Sequence, residues 1–533
     1  MSTFAPMPKT ADDDNSCRVL VVGSGIAGTV AAVRAAQVLG RGQDVLLASA
    51  GPLFSGSSFF KGTWGLGLIA PDGPDDQEDL AQTIVQVGEN AADPQLVRSF
   101  VQGIEPAIRT LESWGCELME PSAQAAGQRE YVPCFDRKHR RWRGIRREPF
   151  VKAVGNQLRQ HQVRVRERWE LLDLSAPDLA NAGTAVFFDA DSGTLRSMAF
   201  QAVILCAGGA SSLFPRRLTR ADCRATVHAL AAQAGCRLVN LEFLQFMPGL
   251  VSPVQNVVFN EKAFRFMELP SEAVRELGGA DAATRLLDQR STYGPFTCRL
   301  ESAALDLAVH RAGPQGLPLM PRLADDLPEF ARTYFDWLEH DLGVSPDAPL
   351  RIAHYAHASN GGVSIDSQGF TGVEGIYAAG ESTGGMHGAD RIGGLSSANG
   401  LTFGLRAGEA AARFAADASQ PASASKLLPG WSATSSPCAS QVEEDLQAVM
   451  DASCGIVRTG GGLSHGLRQV AALQDQLAAT RQPAACPADA ALTRRTQLRL
   501  ETARLMLDAA LTRAESLGSH YRADDPRGIS PTV

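Results

Sequence analysis

CRVLVVGSGIAGTVAAVRAAQ, residues 17–37, decides the fold. Arg18 to Val22 is a short β-branched run, Gly23, Gly25 and Gly28 form G-x-G-x-x-G, and an alanine-rich helical stretch follows at once. Strand, tight turn and helix in this order make a dinucleotide-binding unit. The first glycine permits the turn, the second lets a pyrophosphate approach, and the third lets helix and strand pack. Bare N–H groups at the helix start, around Ala27, then hold phosphates with the help of the helix dipole. The next strand, Asp44 to Ser49, should end in an acid for ribose hydroxyls. It ends in Ser49, which is either a weaker ribose contact or an ordinary strand-end serine.

Working outward, Ala202 to Gly209 (AVILCAGG) and Gly375 to Glu381 (GIYAAGE) read as two further buried strands ending in glycine. Strands far apart in sequence converge at the carboxyl edge of one sheet, where such folds bind ligands. Glu381 would there reach ribityl or ribose hydroxyls; otherwise it is a helix N-cap. The segment GGMHGADRIGGLSSANG, 384–400, follows directly. Glycine on both sides of Arg391 suits close wrapping of a carboxylate or phosphate, and equally suits a flexible surface turn.

At 533 residues the chain exceeds one core, so two or three domains are expected. A net charge of −8 argues against nucleic acid as the main partner. No apolar run reaches the roughly eighteen residues of a membrane span, and residues 1–15 lack a secretory h-region and read as a disordered leader. Ten cysteines without C-x-x-C spacing disfavour an iron-sulfur cluster or structural zinc, so no metal is expected; reduced thiols in the cytoplasm are the simplest account. DRKHRRWRGIRR, 136–147, reads first as a solvated basic face, second as steering for an acidic substrate, and a distant third as RNA-binding. Residues 416–440 read as an Ala/Ser/Pro-rich linker, and Leu500, Ala503, Leu507, Leu511 and Ala514 recur at helical spacing.

The chain resembles the flavoprotein family of succinate dehydrogenase, fumarate reductase and L-aspartate oxidase. The likeness is carried by Gly23 to Gly28, AVILCAGGA, VNLEFLQFMPG (239–249), HYAHASNGGVSID (354–366), GIYAAGESTGGMHGADRIGG (375–394) and TRAESLGSHYRADDP (512–526). It implies an α/β fold: a Rossmann-like FAD-binding domain (16–240 and 346–415), an inserted α+β capping domain (241–345) and a C-terminal helical domain (441–533). It implies FAD held by Gly23, Gly25, Ala27, Gly28, Ser49, Ser57, Ser58, Gly208, Glu381, Ser396 and Ser397. The stretch SGSSFFKGTWGLG, 55–67, has no histidine for a covalent flavin link, so attachment is expected to be non-covalent.

By the same resemblance Arg391 and His354 hold a substrate carboxylate, Arg299 passes a proton, and Glu261 with Arg265 restores it. The family usually reads Q-F-H-P-T where this chain has Gln245, Phe246, Met247, Pro248 and Gly249, and a threonine where it has Asn260. Those groups normally hold a second carboxylate, and methionine cannot donate to one. The substrate's far end is therefore expected to be neutral, apolar or differently held. Two functions follow: an FAD oxidoreductase acting on a small fumarate-like or aspartate-like carboxylate, or an electron-transferring subunit of a larger complex whose iron-sulfur relay sits on a partner.

Overall fold

The computed structural model describes residues 15–63, 65–120, 122, 140–177, 181–323, 326–418 and 433–527. The leader up to residue 14, residues 136–139 of the basic stretch and most of the expected linker, 419–432, lie outside the described residues.

β1 (Ser16–Val22) runs straight into α1 (Ile26–Leu39), then β2 (Val45–Ala48) follows. β3 (Arg164–Arg166), β4 (Trp169–Ser175), β5 (Gly183–Asp189) and β6 (Thr194–Leu205) complete a sheet of order β3-β2-β1-β6-β5-β4. β1 pairs in parallel with β2 and β6, Val19 opposite Val45 and Ala202. β1 and β2 are near-continuous apolar runs because a parallel sheet is covered on both faces. The antiparallel meander β4–β5–β6 extends the other side.

β7 (Leu244–Ser252) and β8 (Leu350–Ser359) form an antiparallel ribbon, Met247 opposite Tyr355, with an irregularity between Gln245 and Phe246. The chain between them builds its own apolar core from Phe259, Phe264, Tyr334 and Leu338. β9 (Ile376–Ala378) then joins the main sheet parallel to β6 and leads to α2 (Leu395–Asp417). Three helices, Ala439–Cys454, Gly460–Ala479 and Pro487–Thr512, pack as a bundle whose core continues into Phe214, Phe246 and Phe296. Leu500, Ala503 and Leu507 form its fully buried seam, whereas Ala514 lies past the helix end and is exposed. Among the described residues no helix is long and apolar enough to cross a membrane.

The basic stretch is a solvated face only in part: Arg141 and Arg146 are exposed, but Arg140 and Arg143 are not. Its described part forms the strand Arg141–Ile145, in which Arg143 is buried against Glu105 (2.9 Å), and the preceding Arg140 is buried against Asp76 and Asp79. Buried arginines with paired carboxylates are structural cross-links, and removing one partner would leave an uncompensated charge.

What aims the fold at one place is the contact between α1 and α2. A Cβ on Gly404 would fall 2.6 Å from the Ala27 carbonyl oxygen, and one on Gly408 2.5 Å from that of Ala31. Glycine lets the two backbones nearly touch, so both helix N-termini open on the same edge of the sheet. Gly408→Val should therefore force the helices apart and cost about 1–3 kcal/mol, read as a lower urea midpoint; an unchanged midpoint would show that this contact does not set the packing.

Candidate active site

At the carboxyl ends of β1, β6 and β9 lies a long cleft, lined by Gly23, Gly25, Ala27, Ser49, Ser57, Ser58, Gly208, Glu381, Arg391, Ser396 and Ser397 among others. The three motif glycines have distinct surroundings. Gly23 has φ +109°, and a Cβ there would lie 2.2 Å from the Cys206 carbonyl oxygen. A Cβ on Gly28 would lie 1.8 Å from Gly23 O, where helix and strand meet. Gly25 instead faces the cleft, with nothing nearer than Ser58 Oγ at 3.5 Å. Turn, packing and ligand approach are thus divided as the motif requires, with the N-terminus of α1 directed at the open space.

No acid ends β2. Ser49 is buried and shares hydroxyl hydrogen bonds with Ser24 (2.7 Å) and Ser55 (3.3 Å). Glu381 accepts from Ser359 N–H (3.0 Å), and burial raises its carboxyl above the ordinary range. The loop carrying Ser57 and Ser58 is pinned by Arg147, which donates to the carbonyl oxygens of Ser58 (3.2 Å), Phe60 (3.0 Å) and Thr63 (3.0 Å). Sequence reasoning missed this role, because nothing in a run of basic residues says which one folds under a loop.

Arg391 is buried, donates from Nε to Gln245 Oε1 (3.1 Å), and has no carboxylate within ion-pair distance among the described residues. Burial lowers its pKa, so a neighbouring anion would be strongly favoured. Beside it His357 is driven down to about 3 by burial and by the Arg391 charge, which makes it a neutral imidazole; its buried Nδ1 lacks a hydrogen-bond partner among the described residues. A cation and a neutral donor in one cleft can hold an anionic oxygen.

His354, expected beside Arg391, is not there. Its Nε2 meets Asp306 Oδ1 at 2.9 Å, and Asp306 is also clamped by Arg290 (2.8 Å). The irregularity in the ribbon falls on β8 at His357, since Ala356 pairs with Phe246 and Ala358 with Gln245; the bulge breaks the strand's alternation, and His357 lines the cleft together with Ala358 while His354 does not. A bulge of this kind is not readable from the sequence, which is why the choice between the two histidines was open there.

Arg299 stands just outside the cleft. Its Nε lies 3.4 Å from Asp390 Oδ2, and its guanidinium 6.0 Å from the Tyr293 ring centroid. Tyr293 lines the cleft and is affected by the charges of both Arg299 and Arg391, so the two arginines flank it on one side of the molecule. Asp390, fully buried, accepts from Thr297 Oγ1 (2.7 Å); burial lifts it to about 6 against the opposing pull of Arg299. Glu261 lines the cleft, but Arg265 points elsewhere and donates to Ser291 Oγ (3.1 Å). The helical turn expected to join them is a 3-10 helix, Glu261–Phe266, on which positions four apart do not stack. Asn260 caps that turn through Lys262 N–H (2.9 Å).

A Rossmann-type cleft with these glycines defines a dinucleotide-binding protein. Residues 18–397 match the family model described as FAD binding domain, and 443–528 the one described as fumarate reductase flavoprotein C-term. An L-aspartate oxidase of Agrobacterium fabrum is 30% identical over 95% of this chain and 90% of its own. One chain of the fumarate reductase (CoM/CoB) of Methanothermobacter marburgensis is 27% identical over 96% and 94%. The fold matches E. coli quinol fumarate reductase with a TM-score of 0.78 at 21% identity, covering 96% of this chain and 92% of that one. The chain belongs to the FAD-dependent oxidoreductase family of fumarate reductase, succinate dehydrogenase and L-aspartate oxidase flavoproteins, and its cofactor is FAD.

Gly25→Val should leave the fold intact by circular dichroism and abolish FAD retention, because its side chain enters only the cleft; retained FAD would refute the cradle. Acid precipitation should leave the flavin in the supernatant; flavin in the pellet would contradict non-covalent binding. Because the folded pKa of Asp390 is raised above the usual 3.9, its share of stability is present below about pH 4 and lost as pH rises to about 6. Asp390→Asn should remove that part of the slope in pH-dependent melts, and an identical slope would contradict it.

Proposed function

We propose that the protein oxidises or reduces a small carboxylate beside FAD, with Arg391 and His357 holding the carboxylate. The observation that carries this reading is a buried guanidinium with no carboxylate within ion-pair distance among the described residues, open to the flavin cleft and next to a neutral histidine with an unfilled hydrogen-bonding site. An anion entering there recovers the interactions that burial took from Arg391. FAD, when bound, supplies a ring that accepts or donates a hydride.

The residues divide the remaining work. Arg391, tethered by Gln245, fixes the orientation of the acid, so its reacting carbon is presented in one pose. The proton comes from the cluster of Tyr293, Asp390 and Arg299, in which Tyr293 is the member lining the cleft and Arg299 stands behind it. Tyr293 is kept protonated by burial and by Asp390, so its hydroxyl carries the proton at the cleft wall, and the nearby Arg299 charge, which favours the phenolate, assists its release. Glu261 lines the cleft near Gly294 as a second proton-accepting group. Residues 241–345 act as a cap over FAD bound by 16–240 and 346–415, with 441–533 as a helical buttress. We read the enzyme as cytoplasmic and acting alone; an electron-transferring partner chain is the alternative, which native size would reveal.

Arg391→Ala should lower reactivity with carboxylates by more than about thirtyfold, the lower bound for losing one partner of a buried charged pair. His357→Ala should raise KM about tenfold or more, the worth of one hydrogen bond to a charged group. His354→Ala should leave KM unchanged and lower the unfolding midpoint. A KM effect in the His354 variant with none in the His357 variant would reverse the assignment. Tyr293→Phe should lower kcat about a hundredfold with little change in KM; full activity would exclude it from proton transfer.

A further inference from the structure

Arg391 marks one end of the substrate space, and the other end has a different chemistry. Met247, Leu218, Val258 and Tyr355 form a small apolar cluster of their own, with Phe60 and Val251 against it. Met247 and Leu218 line the cleft. The polar groups nearby are already engaged. The Tyr355 hydroxyl donates to Leu250 O (2.8 Å) and Asn260 Oδ1 accepts from Lys262 N–H (2.9 Å), and neither residue lines the cleft.

A second negative charge would find no receptor here. Among the described residues lining the cleft the only arginines are Arg391 and Arg224, and Arg224 pairs with Glu170 (3.6 Å), whose neighbours Trp169 and Leu171 line the cleft with it. Close to Met247 lies an acid: a Cβ on Gly294 would stand 3.5 Å from Met247 Cε and 3.5 Å from Glu261 Oε2. A distal carboxylate would therefore meet a thioether and a carboxyl group, losing its hydration without gaining a donor.

The two ends are a short distance apart. Gln245, which tethers Arg391, is two residues from Met247 on β7, roughly 7 Å along a strand. That is the length of an acid of about four or five carbons.

We infer that the substrate is a monocarboxylate with a short apolar tail, its carboxylate on Arg391 and His357 and its distal carbons on the wall formed by Met247 and Leu218, which Tyr355 and Val258 back. This rests on the carboxylate reading of Arg391 and narrows it from small acids in general to those without a second charge.

The test is calorimetric titration of the FAD-loaded full chain with acetate, propanoate, butanoate, pentanoate and succinate, which needs no turnover and no choice of reaction direction. Affinity should rise about fourfold for each added methylene up to pentanoate, the fold-change for burying one CH₂ at about 0.8 kcal/mol, and succinate should bind more weakly than butanoate. Met247→His should flatten the ladder and improve succinate, whereas Met247→Leu should preserve the ladder. Succinate tightest in the wild-type protein, with no gain per methylene, would overturn the inference and leave the carboxylate reading standing. A ladder equally strong in Arg391→Ala would instead sink the carboxylate reading itself.

Discussion

A positive charge has been taken out of water with no carboxylate among the described residues within ion-pair distance, the buried Glu381 acting on it only from further off, and the rest of the site is arranged around that fact. Arg391 sits buried, tethered through Nε to Gln245, while the acids nearest in the architecture are committed elsewhere: Asp390 to Thr297 and Arg299, Glu381 to the Ser359 amide. Burying an unpaired ion is costly, and a protein bears that cost where a ligand relieves it. Burial above all, with the same charge adding to it, suppresses protonation of His357 and so keeps that side chain a neutral donor. One cation thus favours an anion and reinforces the neutral state that burial gives its neighbour.

Positioning that charge beside a flavin is the work of helix packing. α1 begins at the phosphate-binding turn and α2 begins four residues after Arg391. Because glycines let the two helices touch, their N-termini share one cleft, and the loop that carries Arg391 is drawn into it. The inserted segment adds a further wall: Arg290, buried and paired with Asp306, also donates to the Tyr293 and Gly294 carbonyl oxygens, which fixes the stretch that lines the cleft. His354 completes this clamp from β8 through Asp306, so a residue expected to touch substrate instead ties the strand to the inserted segment.

Much of this was legible in the sequence where a residue type has only one use. Gly23, Gly25 and Gly28 could be assigned separate duties because each requires the absence of a side chain for a different reason. The order of β1, β6 and β9 along the chain gave the sheet edge, and Arg391 announced itself by the glycines around it. What could not be read was the side on which a residue emerges. His354 and His357 are equally plausible until the strand's facing is known, and the pairing of β8 with β7 decides it. Arg140, Arg143 and Arg147 look like a solvated patch because their partners, Asp76, Asp79, Glu105 and the carbonyls of the 58–63 loop, are remote in sequence. Ser49 misled for a related reason: the polar end of β2 is shared among Ser24, Ser49 and Ser55, and no one position carries an acid.

The most direct test of the central claim is a crystal structure of the FAD-loaded protein with a small carboxylate bound. The account predicts carboxylate oxygens within hydrogen-bond distance of Arg391 and of His357, with His354 still turned toward Asp306. An acid held away from Arg391, or Arg391 found paired with a protein carboxylate while the acid sits elsewhere, would contradict it.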